Sequence, residues 1–311
     1  PPQLRRVVRS IARPAAQESG AGSVGSVGSV GSVGGVGTAT AAASEPPNAS
    51  PTATGLAGMP APAGAKLAFT VSLQSSHQLT GWYYLNTLLQ RTLERAMSLD
   101  IRQLDSADTP DDAVLPALAF ARPFDACALM SRHGYLPVAR PQDDTDEVCI
   151  VVRHDEPRQA LTEFGGAPVA TASARSFVFL LGRFCCDEYG LPSEPLQYQF
   201  TGNEITALRS LVRGQSDLLF MLQRNYHQLA ALSRADTRVL HESETGMAYH
   251  MLLLHPDQAA LLPALRQALL TLGDSDKGRQ ALQDLGMSAW TAPRDDEIAM
   301  LQMLYQRYAP A

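Results

Sequence analysis

The 311-residue sequence predicts an α/β fold built as two lobes. Short apolar, strand-like runs alternate with helical runs of roughly 10 to 16 residues, the pattern of sheets covered by helices on both faces. That alternation comes twice, once before and once after Arg153, which favours two lobes over one long sheet. With 45% hydrophobic and 18% charged residues there is ample material for a buried core. Each lobe is expected to hold a mostly parallel sheet, with right-handed crossovers and a ligand crevice at the strands' C-terminal ends.

The elements follow in order. Residues 1–65 read as a disordered, low-complexity tether: Ser-Val-Gly repeats from Ser23 to Gly34, then Ala, Thr and Pro dominate with almost no charge. Such a stretch buries too little apolar surface to offset its ordering entropy. Lys66–Val71 alternates as a first strand and leads into the polar turn Gln74-Ser75-Ser76-His77. Thr80 reads as an N-cap, and Leu85, Leu88, Leu89, Leu93 and Met97 recur at helical spacing. A strand is expected at Ile101–Leu104. Thr109-Pro110-Asp111-Asp112 has the cap, proline and acids of a helix start, with that helix reaching about Arg122. Phe124–Met130 then reads as a buried strand.

Glu147–Arg153 is the plainest strand of all. A turn at Gly165-Gly166, a strand at Pro168–Thr171 and a helix from Ser176 to Tyr189, stopped by Gly190, come next. Strands at Leu196–Phe200 and Asp217–Leu222 flank a helix over Glu204–Arg213. Thr237–Leu240 and Ala248–Leu253 are further strands. Asp257–Leu272 and the Ser275-capped run to Leu285 are helices, with Gly273 and Gly286 behind them.

The net charge of −6 lies in the body, because the first 65 residues hold four arginines and two glutamates. An acidic body argues against nucleic acid, whose phosphates need a basic face. A small anion is still admissible, since backbone N–H groups at helix starts can hold one. No run approaches the roughly 18 apolar residues that span a bilayer. Leu4-Arg5-Arg6-Val7-Val8-Arg9 has the basic character of a signal n-region, without an apolar run behind it. Cys127, Cys149, Cys185 and Cys186 show no C-x-x-C spacing and read as small buried hydrophobes.

Three loops at strand ends offer converging donors. Thr171-Ala172-Ser173-Ala174-Arg175-Ser176 closes a strand and opens a helix, so its hydroxyls and amides can form an anion site; alternatively Ser173 or Ser176 merely caps the helix. Asn203 and Glu204 form a second such junction, where Asn203 can serve as a cap and Glu204 can accept from a ligand amine or complement the helix dipole. Gln74 and Ser75 form the third. Asp143, Asp144 and Asp146 read as a solvated turn rather than a cation loop. The seven histidines fall in no metal-binding spacing, and no Walker loop, G-x-S-x-G elbow or G-x-G-x-x-G motif is present. No catalytic residue, metal or cofactor is therefore expected.

From Lys66 onward the sequence resembles the periplasmic phosphonate-binding proteins of ABC importers, members of the type II solute-binding class. The resemblance rests on Phe124-Asp125-Ala126 followed by Gly134-Tyr135-Leu136-Pro137, on Glu147–Arg153 and on Leu211-Val212-Arg213-Gly214-Gln215-Ser216-Asp217. It also rests on the ending Leu269–Leu272, Gly278–Leu282, Leu285-Gly286, Trp290 and Asp296-Glu297. It implies a two-lobed type II clamp with one discontinuous lobe, 66–152 plus 241–311, and a second lobe, 153–240. It further implies an oxyanion gripped by Thr171, Ser173 and Ser176, helped by Gln74 and Ser75, with Glu204 reading a ligand amine and Arg175 adding charge. The partners so implied are a small phosphonate-, phosphate- or phosphite-like ion and a membrane permease. The protein would work as a periplasmic or tethered monomer. Two other readings are a ligand sensor or non-transporting clamp, suggested by the short Met130–Gly134 segment, and an enzyme using Cys185 or His77 with Glu204.

Overall fold

The computed structural model describes residues 66–73, 75–104 and 114–310. The expected tether, Gln74 and the start of the helix expected at 109 lie outside the described residues. Among those described, two main sheets carry the fold.

The first sheet contains β1 (Leu67–Val71), β2 (Met97–Ile101), β3 (Leu118–Ala121), β4 (Leu136–Pro141), β12 (Met251–Leu254) and β13 (Trp290–Thr291). Its order is β13-β4-β12-β3-β1-β2. The second contains β6 (Val148–Arg153), β7 (Pro168–Thr171), β8 (Gln197–Phe200), β9 (Leu218–Leu222) and β10 (Thr237–Glu242), in the order β10-β6-β9-β7-β8. A short ribbon, β5 (Thr145–Asp146) with β11 (Ala248–Tyr249), lies where the chain passes between the sheets. β6 and β10 pair wholly within the second sheet, so the sheets exchange chain near residues 142–148 and 242–250.

The sheets are mixed rather than mostly parallel. β1, β2 and β3 are parallel, as are β7, β8 and β9. β6, β10 and β12 run antiparallel to their neighbours. β6 and β12 enter their sheets directly from the ribbon region, and β10 leaves its sheet toward it, so no helical crossover links these strands across the ribbon.

The helices cover both sheets. They are α1 (Leu79–Leu93), α2 (Pro123–His133), α3 (Phe177–Glu188), α4 (Glu204–Val212), α5 (Gln223–Gln228), α6 (Ala231–Ala235), α7 (Leu262–Leu270), α8 (Asp276–Leu285) and α9 (Asp295–Tyr308). None of the described helices is long and apolar enough to cross a membrane.

Two expectations are reversed. Leu118–Ala121, placed at the end of a helix, is a strand buried along its whole length between β1 and β12. Phe124–Met130, placed in a strand, lies in α2. Pro123 explains both: it forces Arg122 into an extended conformation that ends the strand, and it then opens the helix at its first turn. Gly134 closes α2 in the left-handed conformation. The first helix also ends earlier than expected, at a left-handed Glu94, which frees Met97–Ile101 for β2.

One large core runs through both sheets. It joins Ala119, Ala121 and Phe124 to Val148, Phe177, Leu180 and Phe220, with Met300, Leu301, Leu304 and Tyr308 of α9 packed among them. α9 is thus a strap across the two halves. Its Glu297 pairs with Arg140 at 2.9 Å, while the Tyr308 hydroxyl donates to Asp187 at 2.8 Å in α3. Gly182 of α3 lies so close to Phe220 that a Cβ there would stand 2.2 Å from the ring. All four cysteines are buried free thiols.

Where the chain crosses between sheets, Glu147 is the tie. Its carboxylate, on one crossover, accepts from the amides of Thr245 (2.9 Å) and Gly246 (2.6 Å) on the other, and from the hydroxyls of Ser243 and Thr245. The Ser243 hydroxyl also accepts from the Val148 amide at 2.8 Å.

Candidate functional site

The C-terminal ends of β1, β3 and β9 open onto one cavity of about 880 Å³, where an open α/β sheet is expected to hold its ligand. Ser75, His77 and Gln78 line it after β1, and Arg122 after β3. Leu222, Arg224, Asn225 and Gln228 line it after β9. Asp143, Asp144 and Asp146 come from the crossover, and His250 from the return strand.

Its electrostatics are set by charge pairs. Arg224 of α5 donates to Asp144 at 2.6 Å and to Asp146, tying the second sheet's lip to the crossover. Arg122 bonds Asp125 at 3.0 Å at the start of α2. Three aspartates against two arginines leave the wall acidic, so an entering anion must compete with carboxylates or use uncharged donors. His250 is buried and stacks on Phe120 at 5.5 Å. Burial pushes its pKa below the usual imidazole value, which favours the neutral ring.

The residues expected from sequence divide sharply. Ser75 lines the cavity, and its hydroxyl also accepts from the His77 amide at 3.4 Å. Thr171 is buried at the end of β7, and its hydroxyl has no hydrogen-bond partner. Ser176 caps α3, accepting from the Phe179 amide at 3.2 Å and donating to the Ser173 carbonyl at 3.0 Å. The Ser173 hydroxyl accepts from the Arg175 amide at 3.0 Å. Arg175 is half-buried and acts with Arg132 on Tyr305, whose hydroxyl pKa is raised chiefly by burial. Thr171, Ser173, Arg175 and Ser176 are not among the residues lining the 880 Å³ cavity.

Asn203 caps α4 through the Thr206 amide at 2.8 Å. Glu204 supports the cavity from behind, accepting from the Leu222 amide at 2.8 Å and the Asn225 side chain at 2.7 Å. Cys185 is buried in α3, its thiol pKa is raised by burial, and it is not among the residues lining the cavity. The aspartate turn, expected to be solvated, keeps Asp143 exposed and also forms a wall of the cavity. Sequence reasoning missed Arg224, Arg122 and His250, although Arg224 follows β9 by two residues, a position that faces the crevice.

The family model described as the periplasmic substrate-binding protein of phosphonate ABC transporters matches residues 68–298. The chain belongs to this family. No curated protein matches the chain. Among solved structures, this binding protein is similar to XAC2383 from Xanthomonas citri bound to ATP, at 16% identity and TM-score 0.64, covering 78% of this chain and 98% of that one. PhnD1 from Prochlorococcus marinus in complex with methylphosphonate is similar at 10% identity and TM-score 0.58, with the same coverages. The periplasmic aliphatic sulphonate binding protein SsuA from Escherichia coli is similar at 17% identity and TM-score 0.58, covering 79% and 94%. At these identities the likeness is one of fold.

Proposed function

We propose that this binding protein captures a small phosphonate-like oxyanion between its two sheets and hands it to a membrane permease. The lobes would divide at the crossovers, with 66–147 and 248–310 on one side and 148–242 on the other. The observation that carries the reading is the polar cavity at the C-terminal ends of β1, β3 and β9, in a chain of this family. The donors we assign are the loop after β1 with Ser75, Arg224 on the opposite lip, and the unpartnered Thr171 hydroxyl at the neighbouring strand end, reached as the lobes close. Solved relatives of the same fold are described with methylphosphonate or as sulphonate-binding, which supports a tetrahedral oxyanion. A periplasmic monomer that undergoes no turnover fits this role.

The test is a thermal-shift panel of phosphate, phosphite, alkylphosphonates, aminoalkylphosphonates and sulfate. A ligand at about 100 times its Kd adds about 2.7 kcal/mol of stability. That gain is expected for at least one anion and should shrink in Thr171→Val and Ser75→Ala. No stabilisation by any member overturns the proposal.

A further inference from the structure

Outside the cleft, three side chains from three elements converge behind α5. Cys149 of β6 stands directly opposite Glu242 of β10 in the antiparallel register. The Cys149 thiol donates to Glu242 Oε1 at 3.3 Å, and His227 Nε2 of α5 lies 2.8 Å from the same oxygen. The three ligand atoms all lie within 4.8 Å of one another. In a tetrahedral shell with bonds of about 2.0 to 2.3 Å, neighbouring ligand atoms sit about 3.3 to 3.7 Å apart, so small side-chain rotations close the set. The Gln223 amide donates to the second Glu242 oxygen at 3.1 Å, which fixes the carboxylate as a supporting partner does around a metal.

We propose that Cys149, His227 and Glu242 form a zinc site, with water as the fourth ligand on the solvent side where His227 is exposed. A thiolate, an imidazole and a carboxylate together suit Zn²⁺ and ill suit Mg²⁺ or Ca²⁺, which prefer oxygen alone. On binding, the metal takes the place of the two protons shared with Glu242 Oε1. The thiol proton passes to solvent, and the Nε2 proton is exchanged through solvent to Nδ1, so that the imidazole binds through Nε2 as its Nδ1–H tautomer. Arg224 lies three residues before His227 on the same short helix, so the ion would anchor α5 to β6 and β10 and hold the cleft's lip. Linear spacing could not reveal this set, since its members are 78 and 15 residues apart. It stands apart from the oxyanion reading.

The experiment equilibrates tag-free protein with Zn²⁺, removes the excess by gel filtration and counts bound metal. Co²⁺ is then substituted to look for thiolate-to-cobalt charge-transfer absorption. One zinc per chain is expected, with the cobalt band lost in Cys149→Ser. Affinity should fall at least about tenfold in His227→Ala, an exposed position that leaves the core intact. Asp144→Asn should leave zinc uptake unchanged. No retained zinc, a cobalt spectrum without the thiolate band, or uptake that depends on Asp144 but not on His227 would each overturn the site.

Discussion

Replacing Glu147 with alanine removes the acceptor that joins the two crossovers. The Thr245 amide is buried, and without the carboxylate it has no partner, at a cost of about 1 to 3 kcal/mol. Gly246 is exposed, so water recovers part of its lost bond. Ser243 and Thr245 lose charge-assisted partners but can rotate toward other acceptors. Together these effects give about 3 kcal/mol, a large share of the roughly 5 to 15 kcal/mol that holds a domain folded. Urea unfolding at neutral pH measures it. Glu147→Gln is the informative companion, because its amide oxygen can still accept from both backbone N–H groups while the two hydroxyls accept from its NH₂. It should lose about half as much or less. A Glu147→Ala variant within 1 kcal/mol of the parent would refute the reasoning, and so would a glutamine variant as unstable as the alanine one.

Burial depresses the pKa of both His241 and His250. The unfolded chain therefore takes up protons first as pH falls, and the stability they contribute is complete above about pH 6.5 and declines below it, with a limiting slope of about 1.4 kcal/mol per pH unit per histidine. Urea midpoints between pH 7.5 and 5.5 should drop, and more gently in a His241→Gln, His250→Gln double variant; an equal slope in both proteins contradicts the assignment. Glu156, held down to about 2 by Arg158, contributes stability above the carboxylate range that is lost only as pH falls below it, so it does not confuse that window. Gly182→Ala should cost about 1 to 3 kcal/mol by pressing a methyl group into Phe220, and Phe220→Leu in the same chain should recover part of it; parental stability in the single variant would show that the helix shifts freely. Arg224→Gln should weaken oxyanion binding at least about tenfold, because it leaves Asp144 and Asp146 unopposed, with a modest fall in melting temperature because the pairs are only half-buried and partly screened by solvent. Calorimetric titration showing unchanged affinity would remove Arg224 from the site.

Much of the fold was legible because local signals and tertiary fate agree. Val148–Arg153, Pro168–Thr171 and Leu218–Leu222 are continuous apolar runs of strand length, and all become buried strands. Ser176, Asn203 and Ser275 are good caps, and each caps a helix. Legibility failed where an apolar run fits either state. Leu118–Ala121 and Phe124–Met130 are both largely apolar, and Pro123 with Asp125 in the first turn marks where strand gives way to helix. β4 was hidden by Pro137 and Pro141, tolerated beside a register shift and near a short partner strand. α9 was missed because no serine, threonine or asparagine announces it; Arg294 stands at its cap, and Glu297 accepts from the Arg294 amide at 3.0 Å.

The site was harder to read, for a different reason. Strand-end loops such as the one at Ser75 can be read from local sequence. The pairing of Arg224 with Asp144 and Asp146 joins residues about 80 apart, and nothing near either partner announces it. Small hydroxylated residues at helix starts serve capping and ligand binding alike, so Ser173 and Ser176 were open to both uses, and the structure gives both local bonds.

The position of β12 has a consequence for biosynthesis. It lies between β3 and β4, which precede it in the chain by more than a hundred residues. A growing chain that has not reached Leu254 therefore carries the parallel β2-β1-β3 group with an open edge at β3, and β4 with neither of its partner strands, since β13 comes later still. Native pairing of that sheet must wait until most of the polypeptide exists, which leaves a long interval in which the chain can still be threaded or bound by a chaperone.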